Sequence, residues 1–294
     1  MEPLNTLPKY NLFGIETQDY DKSRIVVLPI PYDSTVTYKT GTREGPRAII
    51  EASRNIELYS YELGRDISKE GIFTTDEMAP DLSSPENMIK NISKEVEIIL
   101  GKGKTPVLLG GEHSITLGAI SAFHNLHKEI SIVQFDAHSD SRKEIFGSKY
   151  THASVMARAS EMYENIVQVG IRSIDSQSMS RIDRSRLMFM EDIEQSGTNG
   201  VIDAIDQLTG KDVYVTIDLD VLDPSEMPSV GTPEPGGIRF KELVSILRGV
   251  YTRKNIVGMD IVELSPIPYL TAPNYLAAKL AYLAIGFMLK EEIE

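Results

Sequence analysis

Seven short, nearly unbroken apolar runs recur along the chain: Ile25–Ile30, Val107–Leu109, Ile132–Phe135, Ile166–Val169, Leu187–Met190, Val213–Ile217 and Ile256–Ile261. A strand with one wet face alternates polar and apolar residues; these do not alternate. They read as strands buried on both faces, the pattern of a parallel sheet covered by helices on each side. Helical patterns lie between them. Ser84-Pro85-Glu86 supplies an N-cap, a proline for the first turn and an early acid. Met88, Ile89, Ile92, Val96 and Ile99 then repeat at helical spacing until Gly101 and Gly103 stop the helix. Gly45-Pro46 opens another, and further helices are expected after Thr116, Thr151, Asn199, Arg239 and Asn274. Strand and helix alternate over the 294 residues without a repeat or low-complexity linker, so one doubly wound α/β domain spanning 1–294 is expected.

Composition removes several classes of function. With no cysteine there is no disulfide framework, no thiolate nucleophile and no cysteine-ligated zinc. A formal charge of −13 argues against nucleic acid as partner and favours cations. The N-terminal segment lacks the apolar run of a signal peptide, and no stretch of 18 apolar residues is present to enter a membrane. The cytoplasm is the expected location.

In a doubly wound sheet, function sits on loops at the carboxyl ends of the strands. Four loaded segments fall there: Gly110-Gly111-Glu112-His113-Ser114, Asp136-Ala137-His138-Ser139-Asp140, Asp218-Leu219-Asp220 and Asp260-Ile261-Val262-Glu263. Asp136, His138 and Asp140 are spaced i, i+2, i+4, so in an extended segment they point to one side. An imidazole between two carboxylates suits manganese, zinc or iron(II). Asp218 and Asp220 repeat the spacing at a second strand end, and His113 stands at a third. Carboxylates gathered at the mouth of an apolar sheet repel one another unless cations neutralise them. Asp136, Asp140, Asp218 and Asp220 balance two divalent ions, with His113 and His138 as neutral ligands. Such a pair, roughly 3.5–4 Å apart, would ionise one water between them for hydrolysis. The residual negative charge would prefer a cationic substrate.

On these residues the chain resembles the ureohydrolases, the family of arginase, agmatinase and their relatives. Gly41-Thr42-Arg43-Glu44-Gly45-Pro46 is similar to the family's G-T-R-x-G-P. Gly110–Ser114 is similar to G-G-D-H-S, with Glu112 replacing the aspartate, and Asp136–Asp140 to D-A-H-x-D. Asp218–Pro224 continuing to Gly231–Gly237 resembles the long signature D-x-D-x-x-D-P … G-T-x-x-P-G-G. The resemblance covers nearly the whole chain. It implies a three-layer α/β/α sandwich on a mainly parallel eight-stranded sheet, and two Mn2+ ions. His113 and Asp140 would bind the first ion, His138 and Asp220 the second, and Asp136 and Asp218 both. Asp140 would also pass a proton to the departing amine. His152 would serve as proton shuttle or substrate contact, and Glu263 would pair with the substrate guanidinium. Family members are commonly trimers or hexamers, so a homo-oligomer is implied.

Arginases carry asparagine two residues after D-A-H-x-D, whereas Asp140-Ser141-Arg142 is similar to the agmatinase D-L-R. Tyr150-Thr151-His152-Ala153-Ser154 and Gly170-Ile171-Arg172-Ser173 also resemble the agmatinase forms. Agmatine, cleaved to putrescine and urea, is the expected substrate. Arg142 leaves open a substrate carboxylate, as in guanidinobutyrate or formiminoglutamate, with arginine the third sibling substrate; its other reading is pairing with a protein acid. A non-catalytic metal-binding family member and a two-metal phosphoesterase are the rivals from other classes. Gly101-Lys102-Gly103-Lys104-Thr105 lacks the leading glycine of a P-loop and runs helix-to-strand, so it reads as a turn. Arg43 is expected to order a neighbouring loop, and Asp223 to brace the proline-rich loop that follows it.

Overall fold

The computed structural model describes residues 7–289. Eight strands form one sheet: β1 (Ile25–Ile30), β2 (Ile72–Thr74), β3 (Thr105–Gly110), β4 (Ser131–Phe135), β5 (Ile166–Ile171), β6 (Leu187–Phe189), β7 (Asp212–Asp218) and β8 (Asn255–Val262). Their order is β2-β1-β3-β8-β7-β4-β5-β6, and every neighbouring pair is parallel. Six of the expected runs are strands with ends shifted by a residue or so. The seventh, Leu187–Met190, stops at Phe189, because Met190 opens the next helix. The eighth strand, β2, was not expected: its three residues sit on an edge with only Ile72 fully buried, too short and too mixed to stand out.

The longer helices are α1 (Gly45–Ser53), α2 (Pro85–Gly101) and α3 (Ile115–Asn125), followed by α6 (Met190–Leu208), α7 (Phe240–Arg253) and α8 (Ala272–Met288); the short α4 (Val155–Ala159) and α5 (Ser176–Met179) lie between. The start of α2 follows its capping signals. Ser84 Oγ accepts from Asn87 N at 3.2 Å, Pro85 occupies the first turn, and Met88, Ile89, Ile92, Val96 and Ile99 are buried. Three helices begin ahead of their sequence signals. α3 opens at Ile115, before Thr116. A break at Gly197 (φ +65°) divides α6, and Asn199 lies beyond it. α8 opens at Ala272 with Pro273 in its first turn, before Asn274.

The side chains divide by strand alternation into two apolar layers. Val27, Val107, Leu109, Val133, Val215 and Ile261 pack with α1, α6, α7 and α8. Leu28, Leu108, Ile132, Tyr214 and Val262 pack with α2, α3 and α4. Burying each Val, Leu or Ile contributes roughly 1.5–3 kcal/mol, so helices on both faces secure the sheet. The architecture is the α/β/α sandwich implied by the resemblance, with the sheet wholly parallel. Among the described residues, no helix is long and apolar enough to cross a membrane.

The four middle strands, β3, β8, β7 and β4, end at the four loaded segments. Their ends are stitched by backbone: Gly111 N donates to Ile30 O at 3.0 Å, and Glu263 N donates to Gly111 O at 2.8 Å. The β1 loop closes over this point, so a Cβ on Gly111 would lie 1.9 Å from Tyr32 O. Arg43 holds that loop through the buried Asp33, which also accepts from Gly41 N at 2.9 Å. Asp223 accepts from Ser225 N, Gly236 N and Gly237 N, bracing the proline-rich loop as expected.

Gly111→Ala is expected to destabilise the protein by about 2–3 kcal/mol through overpacking against backbone that cannot rotate away. Urea denaturation measures this, and Gly101→Ala, where a Cβ meets nothing within 4 Å and the backbone is not left-handed, controls for general effects of replacing glycine.

Candidate metal centre

His113 Nδ1 is buried and has no hydrogen-bond partner, yet it lies 3.0 Å from Asp140 Oδ2, 3.1 Å from Asp136 Oδ2 and 3.3 Å from Asp218 Oδ2. Its other nitrogen, Nε2, is 2.9 Å from Thr216 Oγ1. The Thr216 hydroxyl donates to Asp260 Oδ1 at 2.6 Å, so its oxygen is left to accept. Nε2 therefore carries the hydrogen, and in the neutral ring the Nδ1 lone pair faces three carboxylate oxygens. Only a cation or a proton makes that arrangement favourable.

A second group shares a member with the first. His138 Nδ1 is 2.8 Å from Asp220 Oδ2 and 3.7 Å from Asp136 Oδ1. Two sets of side chains thus have donor atoms within 4.8 Å of one another: His113, Asp136, Asp140 and Asp136, His138, Asp220. Asp136 belongs to both. Backbone donors hold the acids in place. His138 N donates to Asp136 at 2.6 Å, Ala137 N to Asp220 at 3.0 Å, and Asp220 N to Asp218 at 2.9 Å. Asp140 (φ +47°) and Glu263 (φ +68°) hold left-handed backbone that costs about 1 kcal/mol or more each, strain of the kind found where geometry serves a ligand.

The protonation pattern has the same origin. Burial opposes charge on His138, but Asp220 and Asp136 outweigh it and push its pKa up to about 12. Burial opposes charge on His113 too, and Asp136, Asp140 and Asp218 raise its pKa well above the ordinary value. Asp136 is buried, yet the two imidazoles hold its carboxyl below the usual range. Burial and neighbouring Asp136 push Asp140 up to about 6. Burial and Asp220 raise Asp218, and burial with Asp136 raises Asp220. Protons stand here where divalent cations would stand, and the hard oxygen-and-imidazole donor set fits such ions.

A cavity of about 320 Å³ opens above the cluster, lined by His138, Asp140, Asp218, Asp220, His152 and Glu263. All eight residues singled out in the sequence therefore gather at one end of the sheet. A larger cavity of about 650 Å³, walled by Arg158, Tyr163 and Arg181, contains none of them and is not the chemical centre. Glu263 Oε1 accepts from His113 N at 2.7 Å, and burial raises its pKa well above the ordinary carboxylate value. Burial pushes the His152 imidazole down to about 4. Arg142 lines the cavity as well, and its charge helps to lower the carboxyl of Asp175 after burial and the Ser178 hydrogen bonds are counted.

Several residues of the site were given no role from sequence. Gln134 Nε2 donates to Asp136 Oδ2 at 2.6 Å, and Gln168 donates to Gln134. Asp260 accepts from Thr216 and, at 2.7 Å, from Tyr214 OH. One signal would have found them: Gln134, Gln168, Thr216 and Asp260 are polar residues in otherwise apolar strand runs, where only a partner repays their burial.

A family model described as the arginase family matches residues 23–286. N(1)-aminopropylagmatine ureohydrolase of Thermus thermophilus is 40% identical over 276 residues, covering 94% of this chain and 94% of that protein. Agmatinase of Halalkalibacterium halodurans is 32% identical, covering 87% and 88%. Among solved structures, agmatine ureohydrolase of Thermoplasma volcanium superposes with a TM-score of 0.87 at 33% identity, covering 95% of this chain and 94% of that one.

Because the surrounding carboxylates raise the pKa values of His113 and His138, the metal-free protein holds protons on both rings at pH 7 that cations displace. We expect Mn2+ loading at pH 7 to release about two protons per chain or more. Calorimetry in two buffers of different ionisation enthalpy reads this directly, and binding without net proton release would contradict the electrostatic picture.

Proposed function

The chain belongs to the arginase family and is a hydrolase of guanidino compounds, and from that premise we propose that its substrate is a guanidinoalkylamine of the agmatine type. N(1)-aminopropylagmatine stands ahead of agmatine, since a relative of that name is 40% identical and the agmatinase 32%. The sequence alone put agmatine first and offered no motif for an extended tail. The observation that carries the reading is the sharing of Asp136 between two histidine-aspartate groups, directly beside a cavity that Glu263 also lines.

In this reading His113, Asp136, Asp140 and Asp218 would hold one manganese ion, and His138, Asp220, Asp136 and Asp218 would hold the other. When bound, two such ions supply Lewis acidity and a water that is ionised at neutral pH. Glu263 receives the guanidinium; Gly231 has no side chain to crowd Glu263 Oε2. An ion pair in a water-poor cleft both selects and orients the planar cation. The water oxygen bonds to the guanidinium carbon, and the bond from that carbon to the chain nitrogen breaks. Asp140 gives the chain nitrogen the proton with which it leaves as an amine, and urea is the other product. Asp140 first takes that proton from the attacking water oxygen. His152, on the cavity wall, relays protons between cavity and solvent.

Arg142 is compatible with an amine tail: it lines a small pocket together with the carboxylate of Asp175, with no ion pair between them among the described residues. A phosphoesterase reading loses ground because Glu263 would repel a phosphate at the floor of the cleft.

Urea release with Mn2+ should favour agmatine and N(1)-aminopropylagmatine over arginine and guanidinobutyrate by ~100-fold or more in kcat/KM. A guanidino acid as best substrate would overturn the tail assignment. Glu263→Gln should lower kcat/KM by ~100-fold, the cost of unpairing a desolvated cation, with bound manganese unchanged. Equal loss of manganese would instead make Glu263 part of the metal centre.

A further inference from the structure

Glu112 and Thr35 take no part in the reaction above, yet they form a buried chain that ends on His152. Thr35 follows β1, Glu112 follows β3, and His152 precedes α4, so three separate segments meet here. Glu112 is fully buried. Its Oε2 accepts from Thr35 N at 2.6 Å, and its Oε1 accepts from Thr35 Oγ1 at 2.7 Å and Ser114 Oγ at 2.5 Å. The same Thr35 Oγ1 accepts from His152 N at 3.0 Å and lies 3.3 Å from His152 Nδ1.

A threonine hydroxyl has one hydrogen and two lone pairs. Here the hydrogen goes to Glu112, and one lone pair takes the His152 backbone N–H. What remains toward the ring is a lone pair, which can only accept. We propose that Glu112 and Thr35 are positioning residues that set the tautomer of His152, placing its ring hydrogen on Nδ1 and leaving the Nε2 lone pair for the cavity. An imidazole with the wrong nitrogen protonated offers the cavity a donor where a proton acceptor is needed. Two hydrogen bonds from Thr35, one from its backbone and one from its hydroxyl, grip both carboxylate oxygens. Three donors converge on Glu112 against the burial that raises its pKa, so turning the hydroxyl toward His152 would strip the carboxyl of one of them. The catalytic consequence rests on His152 relaying protons as proposed above; the tautomer itself does not.

Two substitutions separate this from a loop brace. Thr35→Val keeps the shape and removes the hydroxyl, while Thr35→Ser restores it. In Glu112→Gln the Thr35 backbone N–H, an obligate donor, holds the amide oxygen in the Oε2 position. The amide nitrogen then takes the Oε1 position and donates to Thr35 Oγ1. The Thr35 hydrogen must turn to His152 Nδ1, which reverses the tautomer. Long-range proton–nitrogen correlation spectra of [15N]histidine-labelled, metal-free protein read the tautomer, with His152 assigned by the signal missing in His152→Asn. We expect Nδ1–H in wild type and Thr35→Ser, a tautomer mixture in Thr35→Val, and Nε2–H in Glu112→Gln. With Mn2+ and the best guanidino substrate, kcat should fall about tenfold or more in Thr35→Val and Glu112→Gln while KM stays within about twofold, and Thr35→Ser should restore kcat. A wild-type ring protonated on Nε2, or a ring unchanged in both Thr35→Val and Glu112→Gln, overturns the proposal. The spectra need no substrate, so they test the tautomer even where the guanidino reading fails.

Discussion

Asp136, Asp140, Asp218 and Asp220 crowd four carboxylates around two imidazoles where water scarcely reaches them, and much of the surrounding architecture answers that repulsion. Two like charges 4 Å apart repel by about 4 kcal/mol at an effective dielectric of 20. Several such pairs would consume a total folding stability that is typically about 5–15 kcal/mol. The fold offsets part of this with backbone N–H groups, aimed at Asp136, Asp218 and Asp220 from the loops that follow the strands. The rest falls to positive charge between the acids, as protons or as metal ions. His113 Nδ1, walled by three carboxylate oxygens and lacking a hydrogen-bond partner, is where that need is sharpest.

The sheet supplies this concentration through topology. In the order β2-β1-β3-β8-β7-β4-β5-β6, the strands that end in chemistry are four neighbours, although they are far apart along the chain. Parallel strands put all four carboxyl ends at one edge. Behind the acids, polar side chains enter the apolar strands. Thr216 and Asp260 fix the hydrogen of His113, and Gln134 and Gln168 steady Asp136. Glu112 and Thr35 extend the same logic to His152. His113 and His152 thus each have one nitrogen committed to the protein, and the other is turned to ligand or cavity.

What the sequence made legible follows from burial. β4 and β7 were readable as double-faced apolar runs, and the carboxylates at their ends as violations of an otherwise apolar pattern. The edge strand Ile72–Thr74 escaped because half of it faces outward and it is too short to show a period. Thr35 was illegible for another reason: a lone threonine in a loop acquires meaning only when Glu112 and His152 arrive from other segments. Gln134 and Thr216 were visible in principle, as polar residues where strands should be greasy. The extent of the substrate tail was not, since Arg142 reads equally well as an anchor for an acid tail or as a neighbour of a protein carboxylate.

At the centre of all this stands the proposal that the cluster holds a pair of cations that share Asp136. The most direct test is anomalous scattering at the manganese edge from crystals grown with Mn2+. Two peaks per chain are expected, one against His113 Nδ1 and one against His138 Nδ1, with Asp136 in contact with both. A single ion, or ions bound elsewhere while these carboxylates stay protonated, would contradict a shared-aspartate pair.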